Sequence, residues 1–344
     1  MISEEVRKSS IVENGFDIEP SFTNCKLNIE ITSACSEKCI YCQASVAGHH
    51  KHPKMIDDEL FYRVTKEAKE LGAVEVGLYT QGEPLANPNV AKYIAYLKDK
   101  LNYEYVYIST NGILCTPEKL REIVDAGIDS IKFSISSVDK ENFFRHHGVD
   151  SCEKCIEHVK YAYEYREKTG KKYKIYIFTI VTRFNEWELD NIINTYSPYA
   201  DEHLLSDVED GIFTIKGIKE FLSTTRVNSL RPPVSLKVPC PQLFNRIIIN
   251  EKGQLCICCF TNSELTVVAD LHDTSLRDAL YSDEMKRIRS RHIRKELEGT
   301  VCNKCVYGID GYMNPITDKM GFEGCYPPVY DRVDEIKKRF SDKT

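Results

Sequence analysis

The sequence lacks long apolar runs, an apolar leader and an excess of positive charge. No stretch approaches the roughly 20 consecutive apolar residues that a membrane-spanning helix requires. The first residues, MISEEVRKSSIVENGF, contain no apolar core of a secretory signal. Lys and Arg number 46 against 52 Asp and Glu, which gives a formal net charge of −6. These absences predict a cytoplasmic protein without a membrane segment and disfavour nucleic acid as its main partner.

Repeats and low-complexity segments are also missing, and the composition is that of a folded protein. The chain has 344 residues, 42% of them hydrophobic, which is enough to bury a sizeable core. This length suits either more than one average domain or one large barrel with an appendage.

Cysteine, in contrast, is abundant. Fourteen cysteines in a chain with no export signal argue against a disulfide framework, because the cytosol keeps thiols reduced. Metal binding or redox chemistry is the natural alternative. Free cysteines also serve as small buried apolar residues, so their spacing must decide between these roles.

Between residues 25 and 206 the chain alternates strand-like and helix-like segments. Amphipathic stretches such as Glu59–Leu71 and Glu118–Ala126 separate short runs rich in Val, Ile, Tyr and Phe. Six β/α units in a row predict an α/β fold, a partial (β/α)6 TIM-like barrel with catalytic groups at the strand C-termini. The predicted strands are Lys26–Thr32, Glu75–Tyr79, Tyr105–Ser109, Ser130–Ile135, Lys174–Val181 and Glu202–Leu205.

The pattern changes after residue 206. Arg246–Asn250 and Gln254–Cys259 read as two strands joined by a turn, and Ser275–Leu297 reads as one helix. These elements predict a small α+β module. We therefore divide the chain into an N-terminal lead-in (1–24), the partial barrel (25–225), the module (226–326) and a C-terminal tail (327–344).

The first cysteine cluster directly follows the first predicted strand. Cys35, Cys39 and Cys42 place three thiolates within eight residues. Thiolates are the usual ligands of iron–sulfur clusters, and three of them leave one iron of a [4Fe–4S] cube open. A structural zinc site needs four ligands, and a histidine could supply the fourth, so zinc remains an alternative. The histidines that follow the loop are His49, His50 and His52.

This CxxxCxxC segment, with Tyr41 before its last cysteine, resembles the signature of the radical S-adenosylmethionine (SAM) superfamily. In that family SAM chelates the open iron, and one-electron reduction breaks a carbon–sulfur bond. A 5′-deoxyadenosyl radical results and abstracts hydrogen from the substrate. The resemblance implies a SAM-cleaving [4Fe–4S] cluster, SAM itself and a flavodoxin- or ferredoxin-type electron donor. The protein's own task is to hold and orient these groups.

Motifs at later strand ends extend this resemblance. Gln81-Gly-Glu-Pro resembles the family's GGEP motif, with Gln81 in place of the first glycine. Asn111-Gly112 is also an ordinary turn sequence, and Arg145 is equally compatible with a solvated surface charge or a carboxylate ligand. The resemblance implies SAM contacts from these residues: Tyr41, Gln81, Gly82, Glu83, Ser109, Asn111, Ser134 and Arg145.

A second set of cysteines lies in the C-terminal module. Cys240, Cys258 and the pair Cys302 and Cys305 supply four thiolates, which can close a [4Fe–4S] site completely. The pattern resembles the SPASM/twitch modules of radical SAM enzymes, nearest the twitch form with one auxiliary cluster. Zinc is again the alternative, and two neighbours compete with Cys258 for its role. These neighbours are Cys256 and Cys259.

The sequence identifies the cofactors more closely than it identifies the reaction and the substrate. An auxiliary cluster beside the substrate suits a net two-electron oxidation, and the spacing is similar to that of aminocyclitol dehydrogenases. Only about 24 residues precede the first strand, too few for a peptide-recognition domain. We expect an oxidoreductase acting on a small polyol, sugar or amino-sugar. Peptide modification, epimerisation and a non-catalytic zinc-binding scaffold remain alternatives.

Overall fold

A computed structural model gives the fold of residues 16–42, 44–45, 53–206, 208, 218–224, 239–258, 266–303 and 331–341. The structural statements that follow concern these residues. Within them, no helix is long and apolar enough to cross a membrane.

Six parallel strands form the first part of a single sheet. Each strand pairs with the one before it in the sequence, so that the spatial order follows the chain order. The strands are β1 (Lys26–Ile29), β2 (Glu75–Gly77), β3 (Tyr105–Thr110), β4 (Ser130–Ser134), β5 (Lys174–Ile180) and β6 (Glu202–Ser206). This arrangement confirms the predicted α/β fold with a partial TIM-like barrel.

Helices connect consecutive strands, as parallel pairing requires. Between the barrel strands lie α1 (Asp58–Glu70), α2 (Val90–Ala95), a π-helical continuation (Tyr96–Lys100), α3 (Pro117–Asp125), α4 (Lys140–His147), α5 (Cys152–Thr169) and α6 (Leu189–Tyr196). Side-chain caps fix where three of them begin: Asp57 caps α1, Thr116 caps α3 and Asp139 caps α4.

The two faces of the sheet differ in chemistry. Leu27, Val76 and Ile108 are fully buried against the helices and belong to the main core. Residues one position away along each strand face the opposite side, the barrel interior, because side chains alternate along a strand. Ser109 and Ser134 lie on this interior face, with their hydroxyl oxygens 3.2 Å apart.

The C-terminal module continues the same sheet. Strand β7 (Arg246–Ile249) lies parallel to β1, and β8 (Gln254–Cys256) and β9 (Val267–Asp270) extend the sheet in antiparallel fashion. The nine strands of the described residues therefore run in the order β6-β5-β4-β3-β2-β1-β7-β8-β9. Short helices α7 (Ile218–Leu222) and α8 (Gln242–Asn245) precede β7.

The predicted helix Ser275–Leu297 was wrong as a single element. It is two helices, α9 (Leu276–Leu280) and α10 (Asp283–Arg294), because the Ser282 side chain accepts a hydrogen bond from the Met285 amide and starts a new helix. Strands β1 and β8 are also shorter than predicted. A final helix, α11 (Asp331–Lys338), lies in the C-terminal tail.

Candidate functional site

The first cysteine cluster lies in the loop that leaves the C-terminal end of β1. Cys35, Cys39 and Cys42 are partly exposed free thiols. The Cys42 amide donates to the Cys39 carbonyl at 3.2 Å, which folds the loop back on itself. The Cys39 thiol donates to the Glu37 carboxylate at 2.9 Å. The loop thus places three potential ligands at a strand end, where catalytic groups of such barrels lie.

The electrostatics of these thiols fit a metal cluster. Burial raises the pKa of Cys35, Cys39 and Cys42, with nearby negative charges adding to the effect. The Oε1 atom of Glu37 is buried and has no hydrogen-bond partner among the described residues. Three largely desolvated thiols next to a carboxylate do not ionise readily without a compensating positive charge. Metal ions supply that charge when they displace the thiol protons. The residues therefore fit a [4Fe–4S] cluster.

The Gln81–Glu83 loop docks directly against the cysteine loop. The Glu83 amide donates to the Ala34 carbonyl at 2.7 Å. A Cβ atom added at Gly82 would lie far inside van der Waals contact with the Thr32 carbonyl oxygen, so only glycine fits there. This close approach brings the predicted SAM-binding motif against the predicted cluster ligands.

A buried carboxylate accepts hydrogen bonds from the backbone of the Gln81–Glu83 loop. Glu30, at the end of β1, accepts hydrogen bonds from the amides of Gly82 at 2.8 Å and Gln81 at 3.2 Å. Burial raises the pKa of Glu30 to about 7, and the charge of Glu251 adds to the shift. The sequence analysis missed Glu30. The signal was available, since it lies two positions beyond Asn28 and therefore on the interior face.

The Glu83 carboxylate ties the motif to the end of β3. It accepts hydrogen bonds from the Thr110 hydroxyl at 2.8 Å and from the Asn111 amide at 2.7 Å. Burial raises the pKa of Glu83 to about 7. The Asn111 side-chain amide in turn donates to the Ser36 hydroxyl at 2.9 Å and lies 3.7 Å from the Cys35 sulfur. Two predicted SAM contacts, Glu83 and Asn111, therefore meet the cysteine loop.

Tyr41 connects the cysteine loop to β4. Its hydroxyl donates to the Ser136 hydroxyl at 3.0 Å. His147, at the end of α4, accepts from the Ser136 amide through Nε2, which leaves its Nδ1 proton to bond the Glu37 carboxylate at 2.8 Å. The same Nδ1 lies 3.5 Å from the Cys39 sulfur. The sequence analysis did not single out Glu37.

Arg145 is not brought into this network. Its guanidinium donates to Glu141 on the preceding turn of α4 at 2.8 Å, and its side chain is 20% exposed. Its role toward SAM stays a prediction.

The auxiliary-cluster residues are described in part. Cys240, Cys258 and Cys302 are partly buried, and Cys258 and Cys302 pack against the main core. The competitor Cys256 is buried in β8, where burial raises its pKa. Several residues named from the sequence lie outside the described residues: Cys259, Cys305, His49, His50 and His52.

Family profiles match both halves of the chain. Residues 29–195 match the radical SAM superfamily, and residues 240–306 match the SPASM iron–sulfur cluster-binding domain. The second match begins at Cys240 and ends one residue beyond Cys305.

Individual proteins show the same likeness. The chain is 32% identical over 170 residues to a probable GTP 3′,8-cyclase of Sulfurisphaera tokodaii, covering 49% of this chain and 50% of the relative. It spans about half the length of the curated relatives it matches. Its fold resembles SuiB of Streptococcus suis bound to S-adenosylmethionine (TM-score 0.60, 16% identity, 83% of this chain and 72% of the other). The fold also resembles anSMEcpe with bound AdoMet (TM-score 0.57, 14% identity, 92% and 91%).

The cysteine loop, the strand-end motifs and the two profile matches converge on one assignment. The chain belongs to the radical SAM superfamily, with a C-terminal SPASM module, and these two domains imply [4Fe–4S] clusters and SAM as its cofactors.

Proposed function

We propose that this enzyme oxidises a small hydroxylated substrate, a polyol, sugar or amino-sugar, by net dehydrogenation. The observation that carries the proposal is the polar interior face of the barrel next to the cysteine loop. Ser109 and Ser134 present their hydroxyls there. Ser136, two positions beyond Ser134, accepts a hydrogen bond from the Tyr41 hydroxyl of the cysteine loop. Ser109, Ser134 and Tyr41 are predicted to contact SAM, and a substrate beside SAM meets the same hydroxyl-lined face, which favours a substrate that is itself rich in hydroxyl groups.

The cofactors, when bound, supply a carbon-centred radical that removes one hydrogen atom from the substrate. The residues of this chain then have three tasks. Cys35, Cys39 and Cys42 would hold the SAM-cleaving cluster, and Glu30 fixes the Gln81–Glu83 loop against it. The buried surroundings of that loop restrict the access of water to the reacting atoms.

The stoichiometry follows from the oxidation. To become a ketone, an alcohol loses a hydrogen atom, one further electron and one proton. The auxiliary cysteines would hold the acceptor of that electron, with the proton passing to solvent. They are Cys240, Cys258, Cys302 and Cys305. We propose a flavodoxin- or ferredoxin-type donor for the electron that starts the reaction.

The test is a product assay under anaerobic conditions. Reconstituted protein is incubated with SAM, dithionite and a panel of polyols and amino-sugars carrying deuterium on carbon. We expect one 5′-deoxyadenosine per ketone formed, with deuterium transferred into the 5′-deoxyadenosine. Cys35→Ala serves as the matched inactive control. Formation of 5′-deoxyadenosine without any oxidised product from the panel would contradict the dehydrogenase proposal.

A second candidate is chemistry on a nucleotide. A stretch of 170 residues of the chain is 32% identical to the probable GTP 3′,8-cyclase of Sulfurisphaera tokodaii. GTP is therefore included in the same assay, with mass spectrometry of the nucleotide pool. Consumption of GTP with 5′-deoxyadenosine formation would favour this candidate over dehydrogenation of a free sugar.

A further inference from the structure

Three cationic side chains share the interior face of the barrel. Lys26 on β1 pairs in register with Arg246 on β7, and Lys132 on β4 pairs in register with Ser109 on β3. Partners in register on parallel strands project to the same face. Lys132 also lies two positions before Ser134, whose hydroxyl meets that of Ser109. The cations therefore lie beneath the predicted SAM contacts.

The surroundings of these cations differ. Lys26 forms an ion pair with Glu75 and lies 4.4 Å from the centroid of the Tyr107 ring. The Lys132 ammonium lies between two aromatic rings, 4.8 Å from the Phe178 centroid and 5.1 Å from the Tyr79 centroid. Within the part of the chain that the structure describes, Lys132 has no ion pair with a carboxylate.

The positive charge of these side chains lowers the pKa of a neighbouring phenol, Tyr79. Burial raises the pKa of Tyr79, but the charges of Lys132 and Lys26 outweigh this effect and bring the pKa below its usual value of 10. Arg246 acts in the same direction. Moving the Lys132 ammonium out of water costs free energy, and the two rings offset only part of that cost, because a cation–π contact contributes only about 0.5–2 kcal/mol. An anion in this position would offset the remainder.

We propose that Lys132 binds an anionic group of the substrate, a phosphate or a carboxylate, inside the barrel. The proposal rests on the proposed function in one respect, that the substrate occupies the barrel beside SAM. Lys132 anchors the charged end, and the hydroxyls of Ser109 and Ser134 lie next to it on the same face. An ammonium suits either anion, since it acts as a point charge with three donors.

The test is calorimetric titration of the full, anaerobically reconstituted chain with saturating SAM, at constant ionic strength. Inorganic pyrophosphate probes phosphate recognition, and malonate probes carboxylate recognition. We expect one probe to bind the wild type and to bind Lys132→Met at least ten-fold more weakly. Lys132→Arg, which keeps the positive charge, should bind that probe again. Methionine keeps contact with the two rings, so the fold is preserved. Lys168→Met, an exposed lysine in the last turn of α5, is the matched control and should bind as the wild type does.

Three results would overturn the proposal. The first is that neither probe binds the wild type. The second is equal binding to Lys132→Met and wild type. The third is a fall of ten-fold or more in the SAM affinity of Lys132→Met, since the lysine would then serve the SAM carboxylate. Failure of the dehydrogenase proposal is seen separately, because it is measured by oxidised product and not by probe binding.

Discussion

The amide of Gly82 donates a 2.8 Å hydrogen bond to the buried carboxylate of Glu30. The two residues are 52 positions apart in the sequence, yet this bond joins the end of β1 to the loop that follows β2. It therefore fixes the spacing between the cysteine loop and the predicted SAM-binding motif.

Replacing Glu30 by Gln should weaken SAM binding. The neutral amide accepts more weakly than a carboxylate and brings unpaired donors into a buried site, at a cost of about 1.5 kcal/mol, or roughly a ten-fold rise in dissociation constant. Equilibrium dialysis of reconstituted protein with SAM measures this. Glu70→Gln, on the exposed side of α1, should leave the affinity unchanged. Equal SAM affinity for Glu30→Gln and wild type would show that Glu30 does not position the motif.

Gly82→Ala should destabilise the fold and abolish SAM cleavage. The added methyl group meets the Thr32 carbonyl, and overpacking of this kind costs about 1–3 kcal/mol. Urea unfolding measures the stability, and 5′-deoxyadenosine formation measures the cleavage. Gly170→Ala is the comparison: its Cβ enters open space, although a φ of +67° costs about 1–2 kcal/mol. If Gly82→Ala still cleaves SAM at the wild-type rate, the close approach of the two loops is not required.

Substitution of cysteines should separate the two clusters. Wild-type protein reconstituted with two cubes should contain about eight irons. Cys35→Ala should lose 5′-deoxyadenosine formation together with about half of the iron, whereas Cys302→Ala should lose iron from the auxiliary site. Cys115→Ala, which changes a fully buried core cysteine, should retain the full iron content. Two bound zinc ions and no iron in the wild type would contradict the cluster assignment.

Acidification should destabilise the protein through His292. Burial lowers the pKa of this histidine to about 4, and both ring nitrogens have no hydrogen-bond partner among the described residues. A histidine with a depressed pKa contributes stability above its unfolded pKa of about 6.5, and this contribution is lost as the pH falls toward 4. The loss should reach about 3 kcal/mol for this one group.

The measurement is urea unfolding of wild type and His292→Phe between pH 7 and pH 4. Phenylalanine keeps the ring shape and removes both unpaired nitrogens, so its stability at pH 7 should equal or exceed that of the wild type. Its decline below pH 6.5 should be shallower. Replacement of the exposed His272 by Gln should leave the decline as it is. Parallel pH profiles for wild type and His292→Phe would rule out this source of acid sensitivity.

Much of the fold was predictable because its signals are local. The strands of the barrel are short apolar runs with amphipathic helices between them, and all six were identified near their observed positions. The break between α9 and α10 was missed because apolar residues at helical spacing lie on both sides of it. Only the Ser282 side chain, which caps a new helix, marks the boundary.

The candidate site also combines residues that the sequence predicts with contacts that only the fold creates. Cys35, Cys39 and Cys42 lie close together in the sequence, so their spacing predicts that they act together as ligands. Glu37 and His147 are 110 positions apart, and their 2.8 Å contact depends on α4 returning to the cysteine loop. No local pattern specifies that contact.

The sequence by itself predicted the three thiol ligands of the first cluster, the β/α order and the family, because short-range spacing and strand periodicity carry these signals. The tertiary structure decided which distant groups meet: β7 beside β1, Glu30 beneath Gly82, and Lys132 between the rings of Tyr79 and Phe178. Such meetings follow from strand register and from the burial of one face of the sheet, and both are properties of the packed chain as a whole.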